Sequence, residues 1–193
     1  MKSPNSKKGF TLIELLVVIT IFGLIMLTAF YTLGRASQQV KLQMSVEQVA
    51  SNLRFDQTEV KSGFLSPNGN QICRGYTFEE NKNSYVPVWS NYAAGQCSNT
   101  LNVSSALSHA SGVELQSIVP LNSLPIHVLT VLFQPPTGSV QFFDGSGVSL
   151  GNNLGFGSVD LTFAYTLSDY PNDGILTINK SGQLNFRYQG LFF

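Results

Sequence analysis

Residues 7–34 read KKGFTLIELLVVITIFGLIMLTAFYTLG, and Glu14 is the only acidic residue in this mostly apolar stretch. From Leu15 to Gly34 the chain has about 20 uncharged residues, which as a helix span about 30 Å, close to the hydrocarbon thickness of a bilayer. A carboxylate in such a span costs about 2.5–3.5 kcal/mol at mid-bilayer, so it indicates a functional site with a specific partner. The stretch is therefore predicted to be a transmembrane helix with a functional glutamate.

The residues that flank this helix predict its orientation. Lys2, Lys7 and Lys8 precede it, and no acidic residue occurs among the first 13 positions. The positive-inside rule then keeps residues 1–9 in the cytoplasm and exports the chain beyond Arg35. The apolar core is longer than that of a secretory signal peptide, and no convincing Ala-x-Ala cleavage pattern follows it. We expect a single-pass anchor that stays on the exported protein.

The string basic-Gly-Phe-Thr-Leu-Ile-Glu, which ends at Glu14, resembles the leader junction of type IV prepilins and type II secretion pseudopilins. The resemblance implies that a prepilin peptidase cuts between Gly9 and Phe10 and that the new Phe10 amine is methylated. It implies that the Glu14 carboxylate pairs with the N-terminal amine of a neighbouring subunit during assembly. The implied partners are other pilin or pseudopilin subunits, the prepilin peptidase and an inner-membrane assembly platform.

The chain beyond the span is predicted to form one exported head. Its roughly 155 residues are enough for one compact domain with its own core. Without the three leader lysines, the 11 basic residues fall to 8 against 11 acidic ones, a formal charge of −3. Such a surface does not favour nucleic acid, so we expect no nucleic-acid partner.

The membrane helix is predicted to continue into this head. Apolar residues recur there at steps of four, three, four and seven, which places them on one face of a helix: Leu42, Val46, Val49, Leu53 and Val60. No proline occurs between Pro4 and Pro67, so one helix is expected from about Phe10 to Lys61, ending at Gly63.

From Pro67 onward, short β-rich runs separated by turn residues predict a mostly antiparallel sheet packed on the helix, an α+β fold. Strands are predicted at 75–79, 85–89, 113–119, 126–133, 139–143, 159–165, 175–179 and 183–188. Apolar and polar residues alternate on both sides of residues 180–182, which favours a hairpin there. The expected divisions are a leader at 1–9, a transmembrane or filament-core helix at 10–34, an amphipathic helix at 35–63 and a β-rich head at 64–193.

The two cysteines, Cys73 and Cys97, both lie in the exported part, where a disulfide can persist. Closing a loop of about 25 residues would stabilise the fold by roughly 3.5 kcal/mol on the chain-entropy argument. A metal site is the alternative, but it needs more ligands, and neither His109 nor His127 has a suitable spacing. We predict a disulfide and no metal.

The head contains no recognisable catalytic or phosphate-binding motif, so we expect no enzymatic activity and no cofactor. Residues 144–147 and 172–174 could offer oxygen ligands to calcium, although turn formation explains both. The segments 132–138 and 175–184 resemble, at low specificity, the minor pseudopilin H type and its pilus relative FimT. The uncharged end at residues 188–193 lacks the basic tip that FimT-type DNA uptake needs.

Three functions follow from these patterns. The first is a structural, non-enzymatic subunit of a type IV pilus, a secretion pseudopilus or a competence filament, and the resemblance to the pseudopilin H and FimT group favours a minor subunit over a major one. The second is a membrane-anchored binding module, for adhesion or DNA uptake, that forms no filament, and the third is an anchored exported enzyme. Only the first accounts for Gly9, Phe10 and Glu14 together, and it places the protein in the inner membrane with its head outside the cytoplasm.

Overall fold

The structure is a computed structural model that describes residues 11–65, 69–120, 126–150, 157–165 and 173–189. The predicted cleavage site at Gly9 and Phe10 lies outside these residues, as do Asn172 of one calcium candidate and residues 190–193 of the uncharged end. The chain divides into two compact units, Met1–Gln38 and Gln39–Phe193.

A single helix, α1, runs from Leu12 to Lys61 and confirms the predicted long helix. Its C-terminus is a Schellman motif, in which the Gly63 amide donates to Val60 O at 3.2 Å and the Phe64 amide donates to Glu59 O at 3.3 Å. Gly63 has a φ of +79°, a left-handed conformation that glycine adopts without steric cost. The helix therefore ends where the sequence predicts.

The rest of the head consists of β-strands, and the structure has a strand at each of the eight predicted positions. The strands are β1 Ile72–Glu79, β2 Ser84–Ala93, β3 Gln96–Cys97, β4 Asn102–Val103, β5 Leu107–Ser108, β6 Val113–Pro120, β7 Val128–Gln134, β8 Ser139–Asp144, β9 Ser158–Tyr165, β10 Asp173–Asn179 and β11 Leu184–Gln189. The predicted hairpin is β10–β11, with Leu176 opposite Phe186 and Ile178 opposite Leu184.

These strands form two antiparallel sheets. Sheet A has the order β3-β2-β1-β7-β8, with β4 and β5 also paired to β2, and sheet B has the order β11-β10-β9-β6. The three short strands β3, β4 and β5 were not predicted, because two-residue pairings in an Asn- and Ser-rich segment leave no alternating pattern. They cover the edge of β2 that would otherwise be open.

One hydrophobic core joins the helix to both sheets. The predicted helical stripe is buried, with Val46, Val49, Leu53 and Val60 at 0% exposure and Leu42 at 3%. It belongs to the same cluster as aromatic and aliphatic side chains of both sheets, among them Phe78, Phe133, Phe142, Leu115, Phe163 and Leu176. Burying each of these large side chains contributes about 1.5–3 kcal/mol, so the stripe fastens the helix to the head.

Gln57 connects the helix to a turn of each sheet. Its Nε2 donates to Gly138 O and to Gly182 O, both at 3.0 Å. Both glycines have positive φ, and a Cβ at Gly182 would overlap the Gln57 side chain. The two turns can therefore approach the helix only because they carry glycine.

Asp56 interrupts the apolar stripe of the helix yet is only 3% exposed. Arg74 of β1 lies 3.6 Å from its carboxylate, measured from Nη2 to Oδ1, and also forms an ion pair with Glu59. Burial raises the pKa of Asp56, while the Arg74 cation and the hydrogen bond from Tyr76 act in the opposite direction. The buried charge is therefore compensated across the helix–sheet contact.

His109 is buried in the core, although its flanking residues Ser108 and Ala110 are typical of a surface loop. Its ring stacks on Tyr85, with ring centroids 5.0 Å apart, and meets the edge of Phe163 at 5.2 Å. Neither ring nitrogen has a hydrogen-bond partner among the residues that the structure describes. Burial lowers the pKa of His109 to about 4, so the folded head holds this side chain neutral.

Replacing Arg74 should destabilise the head. In a soluble fragment that begins at Gln39, Arg74→Leu should lower the free energy of unfolding by about 3 kcal/mol, because it leaves the Asp56 carboxylate buried without its cation. The matched control is Lys82→Leu, which removes an exposed pair with Glu79 and should cost less than about 1 kcal/mol. Urea denaturation measures both, and equal losses would contradict a role for the buried pair.

The buried His109 predicts a loss of stability in acid. Its pKa is lower in the folded state, so below pH 6.5 the unfolded chain binds a proton that the folded chain does not. By pH 4 this difference amounts to about 3 kcal/mol of lost stability. His109→Gln carries no titrating imidazole and should show a flatter decline between pH 6.5 and 4 in denaturation measurements. The same decline in both proteins would contradict this assignment.

Candidate functional site

Glu14 and Thr11 cap the N-terminus of α1. Its Oε2 accepts hydrogen bonds from the Thr11 amide and from the Thr11 hydroxyl, both at 2.9 Å. In return, the Glu14 amide donates to Thr11 Oγ1 at 3.3 Å. This reciprocal pair is a capping box, which satisfies two amide groups that the first turn of a helix leaves without partners. The Thr-x-x-Glu spacing was visible in the sequence, but only its glutamate had been noted.

The capping box leaves the carboxylate able to bind a second partner. Both Thr11 donors contact the same oxygen, Oε2, and the Glu14 side chain is exposed. An ionised carboxylate has about four acceptor sites, so a cation can bind it while the Thr11 bonds remain. The local cap thus holds the carboxylate in one place without using its full capacity.

The helix behind Glu14 has the properties of a membrane segment. An 18-residue window within α1 has a mean hydropathy of 2.6 and is 0% buried inside the protein, so this helix is long and apolar enough to cross a membrane. Its threonine hydroxyls donate to carbonyls one turn earlier, as Thr20 does to Val17 O and Thr28 to Ile25 O, both at 2.8 Å. These polar groups are therefore satisfied within the helix, as hydrocarbon requires.

Tyr31 and Arg35 lie at the end of the apolar stretch. The Arg35 guanidinium lies over the Tyr31 ring, 4.3 Å from its centroid, and also donates to the Tyr31 hydroxyl. Tyrosine and arginine with apolar stems and polar ends are typical of the membrane–water interface. The pair is consistent with a membrane boundary near Arg35.

The cysteines form a bridge within the head. Cys73 of β1 and Cys97 of β3 are joined by a disulfide with their Cα atoms 5.9 Å apart. With Val88, Leu132 and Phe143 they form a second, smaller hydrophobic cluster. This bridge fixes the otherwise irregular segment that follows β2.

The remaining candidate ligands do not converge on one site. Asp144 Oδ1 accepts bonds from the Ser146 amide, the Ser146 hydroxyl and the Val148 amide, so this carboxylate organises its own turn. His127 pairs with Glu80, with 2.6 Å between Nδ1 and Oε2, and His109 lies in the core. Among the residues that the structure describes, no three His, Cys, Asp or Glu side chains form a metal-binding group.

Comparison with known families bears on the N-terminus. Residues 4–30 match the prokaryotic N-terminal methylation motif, a match that includes Gly9, Phe10 and Glu14. The chain carries a prepilin-type N-terminus. Together with the long helix and the antiparallel β-rich head, the match supports the type IV pilin and pseudopilin family. No curated protein and no solved structure matches the chain.

Proposed function

We propose that this protein is a non-enzymatic structural subunit of a type IV pilus or type II secretion pseudopilus. The observation that carries the proposal is Glu14, an exposed carboxylate with spare acceptor capacity, held in the first turn of an apolar helix whose N-terminus matches a methylation motif. In a solitary anchor this charge would serve only the Thr11 cap, whereas a filament subunit would also use it to bind a neighbour.

Processing supplies the partner for this carboxylate. Cleavage between Gly9 and Phe10 would remove the lysine-rich leader and create a new amine at Phe10, which a peptidase of the prepilin type would also methylate. In hydrocarbon, pairing this ammonium with the Glu14 carboxylate of a neighbour is strongly favoured over leaving both charges unpaired. The pair would fix the axial position at which each new subunit joins.

The exposed face of α1 within the head offers a further contact for neighbours. Val40, Met44 and Phe55 are 54%, 61% and 60% exposed, respectively. At 3.6 residues per turn they lie within about one quarter of the helix circumference, opposite the buried stripe that contains Val46 and Val49. Apolar side chains on the outer face of a head-bound helix support packing against another subunit.

The proposed setting is the inner membrane, with residues 1–9 cytoplasmic before cleavage and the head exported. An inner-membrane assembly platform would extract the subunit into the filament. We assign a minor rather than a major subunit from the resemblance of residues 132–138 and 175–184 to the pseudopilin H and FimT group.

The alternative is a membrane-anchored binding module that forms no filament. A polar groove beside the Cys73–Cys97 disulfide favours a binding role for the head. This alternative gives Glu14 only its capping role and leaves its remaining acceptor capacity unused, so we place it second. The two roles are compatible, because a filament subunit can also bind a ligand through its head.

Maturation should yield a protein that begins at Phe10. Mass spectrometry of membrane-derived protein should identify an N-terminal peptide with a methylated Phe10 amine. Gly9→Leu should leave the full-length chain uncleaved, because a bulky side chain obstructs the cut site, and Gly9→Ala should retain partial processing. Recovery of only the full-length chain from the unmodified protein would contradict the proposal.

Replacing Glu14 should separate membrane insertion from assembly. Glu14→Val should insert as well as the unmodified protein, because it removes a carboxylate from the apolar segment, but crosslinking between subunits should fall at least tenfold. Glu14→Asp keeps the charge on a shorter side chain and should retain part of the crosslinking. Equal crosslinking of the valine variant, at equal membrane level in cells with the assembly machinery, would show that the charge is not needed.

A further inference from the structure

A groove of about 540 Å³ lies on the side of sheet A where the disulfide crosses it. One wall is the segment around Gln96 and Asn99, which the Cys97 bridge holds against β1. The other wall is formed by Gln141 of β8 and by Ser149 in the segment after it. We call it the disulfide groove. Its volume lies within the range of about 300–1,000 Å³ that is usual for small-ligand sites.

The lining of the disulfide groove is polar but carries no ionisable side chain. Asn91, Gln96 and Asn99 are exposed at its rim, and their side-chain amides make no hydrogen bonds to the residues that the structure describes. Each amide presents donors and an acceptor together. A rim of this kind matches a neutral ligand whose groups both donate and accept hydrogen bonds. It has no charged side chain that could pair with a charged ligand.

The wall opposite this rim is held in place by hydrogen bonds. Gln141 Oε1 accepts from the Cys97 amide at 3.1 Å and from Gln134 Nε2 at 2.8 Å, and Gln141 Nε2 donates to Ser149 Oγ at 3.3 Å. Phe143 is 3% exposed and packs beneath the groove in the hydrophobic cluster of the disulfide. This wall is therefore pre-organised, which lowers the entropic cost of binding against it.

The backbone around the disulfide groove is not available for strand addition. Beside β8, the Leu150 amide donates to Phe142 O at 2.8 Å and the Asp144 amide donates to Val148 O at 3.0 Å. The outer edge of β2 pairs with β3, β4 and β5. An extended peptide binds mainly by adding a strand to an open edge, so these pairings disfavour a peptide ligand.

We propose that the disulfide groove binds a neutral oligosaccharide. Sugar hydroxyls both donate and accept, as the rim amides do. The proposal does not depend on filament assembly, because every residue of the groove lies within the unit Gln39–Phe193.

The test is calorimetric titration of the full chain in lipid nanodiscs, which avoids detergents that carry sugars. The probes are the neutral tetrasaccharides chitotetraose, cellotetraose and maltotetraose, the acidic tetragalacturonate, and the neutral peptide Ser-Asn-Gly-Thr. At least one neutral tetrasaccharide should bind with a Kd below about 1 mM. The double variant Gln96→Ala/Asn99→Ala should weaken that binding about tenfold, because two exposed hydrogen-bonding groups are lost.

The matched control is Asn185→Ala, which removes an exposed amide from β11, outside the groove, and should leave the Kd unchanged. Three results would overturn the proposal. They are binding of no neutral tetrasaccharide, tighter binding of tetragalacturonate or the peptide, and an unchanged Kd in the double variant. None of these results bears on Glu14 crosslinking, so the proposed function is tested separately.

Discussion

A carboxylate in hydrocarbon needs hydrogen-bond donors, and the N-terminus of α1 depends on how Glu14 obtains them. In the single chain the donors are the amide and the hydroxyl of Thr11, which form a capping box with Glu14. The cap lowers the cost of carrying the charge into the membrane, yet it uses only one carboxylate oxygen. Under the proposed function a subunit needs both properties, because it resides in the bilayer first and accepts a neighbour's ammonium later. On that proposal the cap prepares Glu14 for assembly.

The same helix serves a different purpose once it reaches the head. Residues from Leu42 to Val60 bury one stripe against both sheets, while Val40, Met44 and Phe55 stay exposed on the opposite face. The helix is thus packed against the sheets on one side, and the proposed function would place a neighbouring subunit on its exposed side. Sequence alone predicts the buried face well, because a 3.6-residue period makes it visible before any contact is known, but it does not predict the exposed apolar face.

What sequence reasoning missed depends on residues that are distant in the chain or lack a pattern. The partner of Asp56 is Arg74, which lies across the helix–sheet contact on β1, so the break in the stripe had no visible explanation. His109 has polar and small neighbours, and only the tertiary structure places it between Tyr85 and Phe163. One wall of the disulfide groove includes the two-residue strand β3, which is too short to give a periodic pattern in the sequence. By contrast, Thr11 and Glu14 have the spacing of a capping box, a signal that was present and overlooked.

The most direct test of this account is a distance measurement between subunits in assembled filaments. Filaments would be grown from two populations, one with ¹⁵N in phenylalanine and one with ¹³C in the glutamate side chain, and examined by solid-state NMR. We predict magnetisation transfer between the Phe10 amine of one subunit and the Glu14 carboxylate of another, at a separation of about 3–4 Å, as expected for an ion pair. The control is a filament whose chains all carry both labels. Transfer in that control, with none between the two singly labelled populations, would contradict the claim that Glu14 is the docking group.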